Sequence, residues 1–114
     1  MAFKEKEEQE YEQGHRINRT GIPDDLLQRA EEKAGMSFED VRVHYNSAKP
    51  MEVGARAFTQ GNHIYIGAGN EDCLKHELGH IPQQEMGRVP VTTTIGGYAV
   101  NDDPVLEREA DRFL

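Results

Sequence analysis

The stretch from 70 to 86, NEDCLKHELGHIPQQEM, is helical in pattern and yet carries a proline inside it. That conflict constrains the chain more than any other feature. A proline in a helix interior removes one backbone hydrogen bond, and its ring presses on the carbonyl four residues back, here Leu78, at about 3 kcal/mol. The helix is therefore expected to kink or end near His80. Gly79 adds flexibility at the same place and is about 1 kcal/mol less favourable than alanine in a helix. His76 and Glu77 lie upstream of the damage, so the placement of His80 is the open question.

An α-helix turns about 100° per residue, so His76 and His80 lie about 40° apart on one face, one turn above the other. Two imidazoles so placed can hold one Zn²⁺ through nitrogens about 2.0–2.1 Å from the ion. Glu77 projects about 100° from His76, too far round to share the ion but within reach of a water beside it. Metal-assisted hydrolysis needs that arrangement: the ion lowers the pKa of a water towards about 7, and the carboxylate takes its proton. HExxH is a short motif that also arises by chance, and it requires a helix and a third protein ligand as context.

Near the C-terminal end, LEREAD supplies carboxylates. Glu107 and Asp111 share a helix face, whereas Glu109 sits about 200° from Glu107. Glu107 is expected as the third ligand. Asp111, one turn on, is expected to accept the second N–H of a histidine, which fixes the ring tautomer and raises its basicity. Glu109 is left as a solvated charge. Two imidazoles and one carboxylate suit several divalent ions, of which zinc is the one inferred.

The remaining elements follow from local signals. Pro23 suits a first helical position, Asp24 and Asp25 favour the helix start, and Gly35 suits its stop; Leu26, Leu27, Ala30 and Ala34 give that helix one apolar stripe. VRVHYN alternates Val41, Val43 and Tyr45 against Arg42 and His44, the pattern of a half-buried strand. Pro50 opens a short helix over 49–56. AFTQGNHIYIG predicts a hairpin turning at Gly61-Asn62, and VPVTTTIGGYAV a second hairpin or loop turning at Gly96-Gly97. DDPVLEREADRFL predicts a final helix with Asp102 or Asp103 as N-cap and Pro104 as its first residue. This order implies a small α+β domain with a mostly antiparallel sheet, a histidine-bearing helix and a C-terminal carboxylate-bearing helix.

Composition sets the limits around this. At 114 residues, 36% apolar and without Trp, the chain has room for one domain with a modest core. A net charge of −8 disfavours nucleic acid and anionic membranes as partners. Cys73 is the only cysteine, which excludes a disulfide framework. No apolar run reaches membrane-spanning length, and MAFKEKEEQE lacks the apolar core of a signal peptide, so the chain is expected to be made in a cytoplasm. Residues 1–19, with five Glu in the first twelve positions, read as a charged linker, and 20–114 as the domain.

HExxH followed by an ExxxD helix resembles the Glu-type zincin metallopeptidases. The strings NRTGIPDDL, DVRVHYNSAKP, AFTQGNHIYIG, HELGH with QQ shortly after, GRV and NDDPVLEREAD together resemble the zincin-like core domain associated with extracellular contractile injection systems (eCIS). The likeness covers about residues 18–111. It implies a minimal zincin-like fold, one Zn²⁺ on His76, His80 and Glu107, Glu77 as general base, and a peptide or protein substrate. It also implies residence in a bacterial effector or toxin-like protein, delivered outside by an injection system whose components are further partners. Pro82 departs from the family pattern, which has an aliphatic residue there. An alternative is a catalytically inactive module of the same fold, used to package or dock cargo. In zincins an edge strand beside the metal pairs with extended substrate, and by resemblance residues 63–67 are that strand, giving affinity without much sequence selectivity.

Plainer readings stand beside these. Cys73 is expected as a buried thiol rather than a fourth ligand. His63 is a candidate to steady an oxyanion, and Tyr65 and Tyr98 are candidate phenol donors, with ordinary packing the simpler expectation for each. His15 and His44 have no supporting constellation.

Overall fold

A computed structural model describes residues 17–87, 93–95, 98–101 and 103–114, with the side chains of 93, 94 and 98–100 outside the description. The first sixteen residues of the expected linker also lie outside it. Order in the described chain begins with a polar lock in NRTGIP. Asn18 Oδ1 accepts from the Thr20 backbone N–H at 3.0 Å and from its hydroxyl at 2.6 Å, while Asn18 Nδ2 donates to the Ile22 carbonyl at 2.6 Å and to Asp24 at 2.8 Å. The buried Thr20 hydroxyl in turn accepts from Ile22 N–H at 2.9 Å. Buried polar groups persist when they are bonded in this way. Gly21 turns at φ +87, and a Cβ there would sit 3.3 Å from the Val43 carbonyl oxygen, so glycine is required. This segment feeds helix α1, Asp24–Ala34, whose Leu26, Leu27 and Ala30 are buried. Pro23 stands just before the first helical residue rather than in it, and Gly35 stops the helix in the left-handed conformation at φ 68, as expected.

Strand β1, Arg42–His44, runs parallel to β3, His63–Ile66, and β2, Ala57–Gln60, runs antiparallel to β3. Between β1 and β2 lies the short helix α2, Lys49–Glu52. The sheet order is β1-β3-β2. The first expected hairpin is present, turning at Gly61-Asn62 with Gly61 at φ +60. The second pairs β4, Thr93–Ile95, antiparallel with β5, Tyr98–Val100, and its turn lies outside the described residues. The architecture is α+β with a mixed three-stranded sheet. Ile64 and Ile66 of β3 join Val41, Phe38, the α1 stripe and Leu74, Leu78 and Ile81 in one core cluster.

A 3-10 turn, Glu71–Cys73, leads into α3, Leu74–Glu85. Here the structure corrects the expectation for Pro82. The helix does not end at His80 but runs through the proline to Glu85. Proline's fixed φ of about −65° is itself helical, so the penalty is confined to the lost bond and the crowding at Leu78. Packing on both flanks opposes it. Ile81 and Gln83 are buried, the Pro82 carbonyl accepts from Met86 N–H at 3.0 Å, and the Gln84 amide grips the hairpin turn, accepting from Gly61 N–H at 2.8 Å and donating to its carbonyl at 3.3 Å. No helix among the described residues is long and apolar enough to cross a membrane.

Helix α4, Pro104–Asp111, starts as its sequence dictates: the Asp103 side chain accepts from Val105 N–H at 2.9 Å and Pro104 fills the first position. It packs on α3 at Gly79. A Cβ at that position would lie 2.7 Å from both the Cα and the carbonyl oxygen of Ala110. Gly79 is thus a contact point where two helix backbones meet, not a source of slack. Gly79→Ala gains about 1 kcal/mol of helix propensity but overpacks a backbone contact, at about 1–3 kcal/mol. Because both contacts at 2.7 Å are to backbone atoms, the upper end of that cost applies, and a net loss of roughly 2 kcal/mol in urea denaturation is expected; a variant as stable as the parent would contradict this packing.

Candidate metal centre

The helix contact at Gly79 brings three donor atoms together. His76 Nε2 lies 2.7 Å from Glu107 Oε1, and His80 Nε2 lies 3.2 Å from His76 Nε2 and 3.3 Å from the same Glu107 oxygen. Ligands held tetrahedrally at about 2.0–2.1 Å from one ion are about 3.3–3.4 Å apart. Two edges of the triangle match that spacing, and the third is contracted to a hydrogen bond. The residues therefore fit a single metal ion, and His76, His80 and Glu107 form a possible metal-binding triad. The i, i+4 spacing of the histidines survives intact because α3 stays helical past them.

Asp111, one turn beyond Glu107, meets His76 Nδ1 at 2.5 Å. His76 thus lies between two carboxylates. Hydrogen bonding to Glu107, against the opposing effect of burial and with help from Asp111, lifts its pKa to about 9. The Glu107 carboxyl is pulled down to about 2 by its bonds to His76 and His80. For His80, burial acts downward, but its bonds to Glu107 and Gln83 outweigh it and the net direction is upward. Without metal the triad is held by an imidazolium–carboxylate pair, so a metal must displace a proton from His76 in order to bind.

Glu77 is 5% exposed. The Thr59 hydroxyl on β2 donates to its Oε1 at 2.6 Å. Burial pushes the Glu77 carboxyl up, and the Thr59 bond partly offsets this. Thr59 was not anticipated from sequence, because its partner is 18 positions away on another element. Gln83 was missed as well. Its amide contacts His80, the Leu106 carbonyl and Glu109, at 2.8, 2.9 and 2.9 Å. The QQ pair after HELGH was the available signal. Glu109 is accordingly not a merely solvated charge: the buried Gln83 amide donates to it.

Other candidates are placed elsewhere. Thr59 pairs with Ile64 and faces α3, so the neighbouring His63 and Tyr65 fall on the opposite face of the sheet. There His63 Nδ1 meets His44 Nε2 at 2.9 Å, and Tyr65 stacks between His44 and Phe58 at 4.8 and 5.0 Å. The structure does not bring either residue to the triad. β3 is also the central strand, paired on both sides, so it cannot be the edge expected over 63–67. That expectation rested on the resemblance alone, and the parallel addition of β1 overrides it. Cys73 packs against the core and is not among the converging donors. The Tyr98 side chain and His15 lie outside the described residues.

A family model described as the eCIS core domain matches residues 21–88, more than half of the chain. The chain belongs to the eCIS core domain family. This links it with extracellular contractile injection systems. The matched span holds α1, the three-stranded sheet and all of α3, with His76, Glu77 and His80; Glu107 and Asp111 lie beyond it. No curated protein and no solved structure matches the chain.

The pairing of His76 makes the metal-free eCIS core domain pH-dependent. A histidine whose folded pKa is raised contributes stability that is complete below its unfolded value, about 6.5, and lost as pH rises towards the folded one. Urea denaturation with chelator present should therefore show stability falling between pH 6.5 and about 9, and His76→Ala should flatten that fall. Stability that rises over this range would contradict the pairing.

Proposed function

We propose that this eCIS core domain is a zinc-dependent peptidase-like domain of an injection-system effector, hydrolysing peptide bonds in a protein or peptide substrate. The observation that carries this reading is the meeting of His76 Nε2, His80 Nε2 and Glu107 Oε1 beside the buried Glu77. Two histidines and a glutamate, with a position left for substrate, form the donor set of one group of catalytic zinc sites. When bound, the ion would supply Lewis acidity towards a carbonyl and acidity to a water.

The chain's own residues do the rest. His76, His80 and Glu107 would hold the ion, and Asp111 orients the His76 ring and favours its basic form through Nδ1. Glu77 accepts the proton of the attacking water and returns it to the leaving amine. Burial raises its pKa towards the working range, which suits a general base, and the Thr59 hydroxyl fixes the direction of its carboxylate.

Substrate alignment falls to β2 rather than β3. The two-residue turn makes Gln60 and His63 a hydrogen-bonded pair, and alternation turns the N–H and C=O groups of Thr59 and Ala57 away from β3. The Gly67 N–H donating to the Arg56 carbonyl at 2.9 Å agrees with that alternation. An extended peptide added at this edge would run past Thr59, the residue that holds Glu77.

Elemental analysis after dialysis should find about one zinc per wild-type chain and its loss in His80→Ala. Glu77→Gln should keep the zinc and lose peptide hydrolysis by roughly 10²–10⁴-fold. Undiminished hydrolysis by Glu77→Gln would overturn the mechanism. Zinc bound without any hydrolysis in the wild type would favour a packaging or docking role.

A further inference from the structure

Gln83 is 1% exposed, and the surroundings of its amide leave only one orientation. One end faces the Leu106 carbonyl at 2.9 Å and the Glu109 carboxylate at 2.9 Å. Both partners are acceptors, so that end must be the NH₂ group, and its two hydrogens are both used. The amide cannot be turned round without setting oxygen against oxygen twice. The other end, Oε1, is thereby aimed at His80 Nδ1, 2.8 Å away. An amide oxygen only accepts, so Nδ1 must carry the hydrogen. A neutral imidazole has a single N–H; it goes to the closer acceptor, Gln83 Oε1 at 2.8 Å, rather than to Glu107 Oε1 at 3.3 Å, and Nε2 is left bare. That is the atom 3.2 Å from His76 Nε2 and 3.3 Å from Glu107 Oε1.

We infer that Gln83 is a positioning residue for His80, selecting the Nδ1–H tautomer and presenting an unprotonated Nε2 to the point where the three donors meet. The consequence for metal binding rests on the reading proposed above; the tautomer itself does not. The two histidines are then oriented by different means. His76 Nδ1 is held by a carboxylate, Asp111, whereas His80 Nδ1 is held by a neutral amide, with Glu107 near the Nε2 atoms of both rings. The site gains orientation at His80 without a further negative charge. The same amide ties α3 to α4 through Leu106, so it aligns His80 with the helix that carries Glu107.

The test reads ring nitrogens directly. Two-bond ¹H–¹⁵N correlation spectra of the metal-free protein, at alkaline pH where the rings are neutral, should show His80 as the Nδ1–H tautomer. Gln83→Met should shift it towards Nε2–H and weaken Co²⁺ binding by about 10–100-fold. An Nε2–H tautomer in the wild type would overturn the inference, and this holds even if Gln83→Met does not fold. So would a folded Gln83→Met with unchanged tautomer and cobalt affinity. A wild type with the Nδ1–H tautomer but no cobalt binding would uphold the role of Gln83 and refute the metal reading.

Discussion

Gly79 and Ala110 meet without a side chain between them, and the triad depends on that contact. The distance between helix axes is set by the residues at their crossing, and glycine against alanine permits close approach. Because Gly79 lies between His76 and His80, and Ala110 between Glu107 and Asp111, the crossing puts both residue pairs at the same height. The Cβ that alanine would add at 79 lies too close to the Ala110 backbone to be absorbed by a rotamer change. A side chain there would push α4 away and carry Glu107 and Asp111 with it. Glycine is a poor helix former, and here that penalty is the consequence of placing four polar side chains within bonding distance.

The same closeness sets the electrostatics. Carboxylates on α4 reach imidazoles on α3, and each holds the other in its charged form. In the metal-free protein a proton on His76 neutralises part of the acidic cluster; a divalent ion would take over that role and release the proton. Glu77 sits on another side of the same helix, in a drier place, and its pKa moves the opposite way from that of Glu107. Two carboxylates with pKa values pushed apart by their surroundings are suited to different tasks, which in the proposed function are those of ligand for Glu107 and base for Glu77.

Much of this was readable because it is local. Helical periodicity alone puts His76 above His80 and Glu107 below Asp111, and the Asp103-Pro104 start and the Gly61-Asn62 turn are decided within a few residues. What could not be read depends on meetings between distant segments. Thr59 has no sequence mark of its partnership with Glu77, and nothing local says that β1 adds in parallel beside β3 and leaves β3 central, with β2 an outer strand among the described residues. The wheel angle of Glu109 correctly sets it apart from Glu107 but is silent about Gln83, which comes from the other helix. Pro82 was misjudged for a related reason: a local penalty of about 3 kcal/mol is opposed by the burial of Ile81 and Gln83 and by the grip of Gln84 on Gly61, none of which is visible along the chain.

The most direct measurement is a crystal structure of the zinc-soaked protein with anomalous data collected at the zinc edge. A single strong peak is expected about 2.0–2.2 Å from His76 Nε2, His80 Nε2 and Glu107 Oε1, with Gly79 still against Ala110. A zinc peak elsewhere, or α3 and α4 drawn apart with Glu107 outside the coordination sphere, would contradict a site built by that helix crossing.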